Sequence, residues 1–169
     1  MRSKPFLAII LLLIISACGT GSEDAYFNQI LDDEWSRGME ENPVYASYMG
    51  DKSANQDWPD ISDQAVRERQ KKTREVLEKI KSINPQKLTE ENQLNYRLFL
   101  YNYERSVKSQ KFDSHLLTFG QRGGIQLEQE TAEGLNFNSS QDYKDWLVRL
   151  EKLPELINAH IELGKLGIE

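Results

Sequence analysis

Apolar side chains recur along most of this chain at spacings of three and four residues, the period of a helix with one buried face. An uninterrupted apolar run comes first, at residues 6–15. Phe27, Ile30, Leu31, Trp35 and Met39 then predict a first helix over residues 24–41. Ser22, Glu23 and Asp24 suit the free N–H groups of its first turn. Asn42-Pro43 ends it, because the residue before a proline avoids helical geometry. A short second helix is predicted over residues 43–49, capped by Asn42 and closed by Gly50. Residues 51–61, polar and interrupted by Pro59, read as a loop.

Val66, Thr73, Val76, Leu77, Ile80 and Ile83 mark the buried face of a third helix over residues 63–82, capped by Ser62 and stopped at Asn84-Pro85. The fourth, over residues 90–111 with Thr89 as cap, carries Leu94, Leu98 and Tyr101 on one stripe. Tyr96, Phe99, Leu100, Tyr103 and Val107 widen that stripe to most of the circumference, which predicts a helix central in its domain. Residues 113–139 lose the period and hold Gly120, Gly123, Gly124 and Gly134; a loop of this length points to function. From residue 141 the stripe returns as Tyr143, Trp146, Leu147, Leu150, Leu153, Ile157 and Ile161, with a kink or restart at Pro154. The prediction is an all-α, irregular helical domain of about five helices with one long glycine-containing loop. The apolar pattern runs up to Glu169 without a polar tail, so residues 25–169 read as the helical N-terminal part of a larger domain, cut short.

The apolar run at residues 6–15 has a different meaning. It follows Arg2 and Lys4, is too short to span a bilayer, and leads into Ile15-Ser16-Ala17-Cys18-Gly19. A basic start, a short apolar core and small residues before the cut make residues 1–17 a secretory signal peptide. Ile15, Ser16 and Ala17 match the bacterial lipobox, and Cys18, the one cysteine of the chain, supplies the thiol that takes the lipid. Residues 18–24 are then a lipidated polar tether. With Cys18 spent as the anchor, no thiol remains for a disulfide, a thiolate metal site or a nucleophile. Several acyl chains give stable membrane anchoring. The expected location is the cell envelope of a bacterium; by resemblance to Gram-negative sorting signals, Gly19 rather than an aspartate after the cysteine does not favour inner-membrane retention, so the outer membrane, facing the periplasm or the surface, is expected.

Charge removes one class of partner. Of 21 basic residues, the signal peptide holds Arg2 and Lys4, leaving 19 against 27 acidic ones and a net charge of −8. Nucleic-acid binding calls for a basic face, and the Arg67–Lys72 stretch reads as a solvated helix side. Three Trp and seven Tyr argue for a folded domain rather than disorder.

Candidate chemistry is sparse. His115 and His160 lack partners at metal-ligand spacing, and no His-Glu-x-x-His pair occurs. His160 reads as a core or rim histidine and His115 as surface. There is no Gly-x-Ser-x-Gly elbow. Gly120-Gln121-Arg122-Gly123-Gly124 lacks the Gly-Lys-Ser/Thr ending of a phosphate loop and reads as a tight turn. Asp32-Asp33-Glu34, Glu40-Glu41 and Asp57, Asp60 and Asp63 do not follow a calcium-loop pattern and read as caps and solvated faces rather than as a catalytic set.

Several phrases, taken in order, carry a resemblance. They are Phe27…Trp35…Glu41-Asn42-Pro43…Tyr48-Met49-Gly50, Trp58-Pro59-Asp60-Ile61-Ser62, Leu94-Asn95-Tyr96, Phe119-Gly120-Gln121-Arg122-Gly123-Gly124, and Asp142-Tyr143-Lys144-Asp145-Trp146-Leu147-Val148-Arg149-Leu150…Leu153-Pro154. Together they resemble the N-terminal region of the bacterial Domain of Unknown Function 885 family. The resemblance implies longer relatives, many of them lipoproteins, similar to zinc-dependent metallopeptidases. The zinc motif of those relatives, His-Glu-x-x-Pro-Gly-His-His, lies in a C-terminal part. Nothing in this sequence matches that motif, so no catalytic or metal residue carries over, and zinc is expected only in a full-length relative. What the resemblance implies here is a helical portion packed beside the catalytic helices. The length and the glycines of the loop around residues 121–125 make Gln121, Arg122, Gly123 and Gly124 the candidates to line a cleft in the complete protein. By itself such a portion is expected to be inactive. Its expected partners are the membrane, through the lipid on Cys18, and either the missing C-terminal portion or an envelope protein. The alternative is a complete small helical lipoprotein acting as an envelope interaction module.

Overall fold

The computed structural model describes residues 20–120 and 123–168. The expected signal peptide and lipobox, with Ile15, Ser16, Ala17 and Cys18, and also Gln121 and Arg122, lie outside the described residues. Within them the chain forms α1 (Thr20–Glu41), α2 (Pro43–Tyr48), α3 (Asp63–Ser82), α4 (Glu90–Ser109), α5 (Thr131–Gly134), α6 (Ser140–Glu151) and α7 (Leu153–Leu166). Two two-residue strands, β1 (Phe119–Gly120) and β2 (Gly123–Gly124), pair antiparallel between α4 and α5. The fold is all-α, as the period predicts.

Local chemistry sets the helix starts. Asn42 accepts from the Tyr45 amide, Ser62 from Ala65, and Thr89 from Asn92, so each cap satisfies an N–H that its helix cannot. Pro154 sits in the first turn of α7, where a proline has no N–H to lose, and the segment restarts there as a new helix. The start of α1 differs from expectation: the helix begins at Thr20, not Asp24. Glu23 and Asp24 do not serve as caps of α1. They accept the backbone N–H groups of Asn84 (2.8 Å) and Thr89 (3.1 Å), binding the first turns of α1 to the α3–α4 connection.

α1, α3 and α4 form the main layer around Phe27, Ile30, Val76, Ile80, Ile83, Leu88 and Tyr96, with Leu31, Phe99, Leu100 and Tyr103 packed at the edge. Phe27 is fully enclosed and meets Tyr96 and Phe99 edge-on, at centroid distances of 6.1 and 6.3 Å. The buried face predicted for α3 is the observed one.

Three expectations fail on packing. α4 is not central: Tyr96, Phe99, Leu100 and Tyr103 face the core, while Leu94, Leu98 and Tyr101 are 51, 55 and 58 % exposed. Trp35 lies outside the α1 core, edge-on to Tyr45, and the inner place goes to Glu34, which accepts from Arg37 and Tyr103. The region at 113–139 is not one irregular loop. It holds short 3-10 turns at Ser114–Leu116 and Ile125–Glu130, the β1–β2 pair and α5. Turns of one or two repeats give too few apolar positions for a period to show.

Candidate functional site

α6 packs with one polar stripe inward, and this gathers a network of charged and amide side chains. Its inner face is Asp142, Asp145 and Arg149, at spacings of three and four; Tyr143, Leu147 and Leu150 point to solvent. The partner is the irregular stretch between α2 and α3. Lys52 donates to Asp142 at 2.5 Å, and Gln56 to Asp145 at 2.8 Å. Gln141, one turn before Asp145, donates to the same carboxylate at 2.8 Å. Trp58 donates its indole N–H to the Arg149 carbonyl at 2.7 Å. Arg149 is 0 % exposed and donates through Nη2 to Ser47 Oγ (2.9 Å) and the Ala54 carbonyl (3.0 Å), with its guanidinium 5.7 Å from the Trp58 ring centre. Burial lowers the pKa of that guanidinium, since desolvation disfavours a cation.

Asp142 also closes a capping box: its Oδ2 accepts from the Asn138 and Ser139 amides and the Ser139 hydroxyl, while Ser139 Oγ accepts from the Asp142 amide. The Lys52 and Ser139 bonds hold this carboxyl at about 2, below its ordinary 3.8. A depressed folded-state pKa means that the stabilisation is fully present above about pH 4 and is lost as pH falls through about 2. Asp142→Asn is therefore expected to flatten the acid limb of the stability curve between those values and to lower stability at neutral pH. Melting temperatures across pH 2–7 check this; an unchanged acid limb would remove Asp142 from the account.

A cavity of about 150 Å³ lies beside this network, lined among others by Ser47, Lys52, Asn55, Phe137, Asp142 and Trp146. A wider groove of about 260 Å³ runs between α3 and α4, with Arg69, Thr73, Ser109, Gln110 and His115 in its wall. His115 is not plain surface. Its Nε2 lies 2.7 Å from Asp63, and that contact together with Arg67 holds the Asp63 carboxyl below its usual range. His160 is half-buried on α7, and burial lowers its pKa.

The β1–β2 pair is pinned by one side chain. Gln126 donates to the Gly120 and Gly123 carbonyls at 2.7 and 3.0 Å. Gly124 has φ +117, and a Cβ there would stand 2.6 Å from the Thr118 carbonyl oxygen. Gly124→Ala is expected to cost about 1–3 kcal/mol through backbone strain and that overlap. Urea denaturation measures it, and a neutral effect would show that the pair relaxes freely. Of the predicted cleft residues, Gly123 and Gly124 form β2, and neither lines either cavity.

Among the described residues no three His, Cys, Asp or Glu side chains converge in an arrangement that could hold a metal ion, so these residues do not fit a zinc site. No described helix is long and apolar enough to cross a membrane. Sequence reasoning passed over the inward polar face of α6, because polar positions on a helix ordinarily read as the solvent side. The one signal was the spacing of Asp142, Asp145 and Arg149, a polar stripe of helical period opposite an apolar one.

The family model described as "Bacterial protein of unknown function (DUF885)" matches residues 43–169, more than half of the chain. No curated protein and no solved structure matches it.

Proposed function

The chain belongs to the DUF885 family of bacterial proteins of unknown function, and from that premise we propose that it serves as the lipid-anchored, helical N-terminal part of a zinc-peptidase-like assembly in the cell envelope. In this reading it supplies a docking face and a membrane anchor, and the zinc chemistry belongs to a C-terminal portion like that of the longer relatives. No catalytic step is assigned to the residues of this chain.

One observation carries the reading. α6 and α7 present Tyr143, Leu147, Leu150, Ile157 and Ile161 to solvent, while α6 commits Asp142, Asp145 and Arg149 to the interior. Exposed apolar stripes on consecutive helices are the mark of a surface that meets another protein. The inward hydrogen bonds of Asp142, Asp145 and Arg149 fix the roll of α6 and so hold that stripe outward. The β1–β2 pair, with Phe119 exposed, is the part proposed to border the cleft.

The anchor is tested by Cys18→Ala in the producing bacterium: palmitate incorporation and membrane fractionation should both be lost, and unchanged fractionation would refute it. The docking face is tested by Leu147→Glu with Ile157→Glu. This variant should keep its melting temperature, yet abolish co-purification of a zinc-containing polypeptide and of chelator-sensitive peptidase activity. If native membranes yield the chain with neither zinc nor such activity, the peptidase reading falls. The chain is then an envelope interaction module.

A further inference from the structure

The outward stripe of α4 is a second apolar face, and its charges say more about its occupant than those of α6 or α7 do. Leu94, Leu98, Tyr101 and Arg105 are spaced four, three and four residues apart, the seam of a two-helix coiled contact. With Leu98 and Arg105 at a positions, Leu94 and Tyr101 fall at d; Arg97 and Glu104 fall at g, flanking the seam. Tyr96 and Tyr103 fall at f, on the opposite side, and these are among the residues that meet the core. Core and seam therefore occupy opposite faces of one helix. The Arg105 guanidinium carbon lies 5.9 Å from the Tyr101 ring centre, so this arginine already sits against the stripe.

We propose that this stripe pairs with the same stripe of a second copy of this chain, the two α4 helices running antiparallel about a twofold axis near residues 99–100. In that register Leu98 meets Tyr101 of the other copy and Leu94 meets the stem of its Arg105. Charge selects the direction. An antiparallel pair sets g against g, so Arg97 faces Glu104 and Glu104 faces Arg97, giving two opposite-charge contacts from one surface. The same register sets Glu91 at one end of the seam against Lys108 at the other. A parallel pair would set Arg97 against Asn102 and Glu104 against Ser109, with no charge matched. Macrodipole preference accounts for acidic residues at the start of α4 and basic ones at its end. It does not account for Arg97 and Glu104 in the middle, one heptad apart. Among the described residues none of Arg97, Glu104, Glu91 and Lys108 forms an ion pair, and all four are exposed. A single helix pair is small for a specific interface, so the dimer is a weak, concentration-dependent one.

The test is sedimentation of the full chain in detergent micelles over a concentration series. A dimer that dissociates on dilution is expected. Arg97→Glu alone and Glu104→Arg alone should each weaken association about tenfold or more, because each sets like charges together. The double variant should associate with itself again, and the two single variants mixed should pair with one another. These exposed positions should leave melting temperature unchanged, which separates loss of pairing from loss of fold. A chain that stays monomeric at every concentration overturns the proposal and leaves the stripe to a different protein. So does a dimer indifferent to both single reversals.

Discussion

Arg149→Ala is expected to destabilise the protein by about 3 kcal/mol, roughly 6–12 °C in Tm for a domain of this size. The side chain is among the largest fully enclosed ones in the described structure. Truncation empties the space beneath Trp58 and removes the donors to Ser47 Oγ and the Ala54 carbonyl. Arg149→Met separates volume from charge. Nε and Nη1 have no hydrogen-bond partner among the described residues, so the guanidinium is desolvated without full compensation. Replacing such a buried cation by an apolar chain of similar length is often close to neutral. The methionine variant should therefore lose about 1 kcal/mol or less. Thermal and urea unfolding of both variants measure this. An alanine variant within about 0.5 kcal/mol of the parent would show that the polar side of α6 does not hold it in place.

Phe27→Ala should cost about 3–5 kcal/mol, because it empties the centre of the α1–α3–α4 core where Tyr96 and Phe99 meet its ring. The informative comparison is Leu98→Ala, a change of the same kind on α4. Its side chain is exposed, so the cost should stay within about 0.5 kcal/mol. The sequence reading, with Leu98 inside a central helix, predicts two comparable losses. Equal losses in denaturation experiments would restore that reading, and a gap of several kcal/mol supports an outward stripe.

What could be read from the sequence was local. Caps at Asn42, Ser62 and Thr89, the bounds of α3 and the restart at Pro154 follow from side-chain oxygens and ring geometry within a few residues. Which side of a helix faces the core is a different question, settled by partners distant in the chain. α4 and α6 each carry two faces that could be buried. On α4 the inward one is chosen by contact with Phe27 and α3. On α6 it is chosen by Lys52, Gln56 and Trp58, some ninety positions earlier. Hydrophobic period alone picks the apolar side in both cases, and in both the structure places much of that side in solvent. The candidate site was less legible still. The glycines of the β1–β2 pair are visible as a turn, but Gln126, which pins the pair, and Asp63, which holds His115, carry no pattern of their own.

The most direct test of the account is the intact mass and zinc content of the protein extracted from its own membranes in mild detergent. An assembly well beyond the 19.6 kDa of this chain or a pair of copies, lipid-linked through Cys18 and carrying zinc, is the expected result. A zinc-free species no heavier than two lipidated copies of residues 18–169 would contradict it, because α6 and α7 would then keep their apolar stripes with no larger partner to cover them.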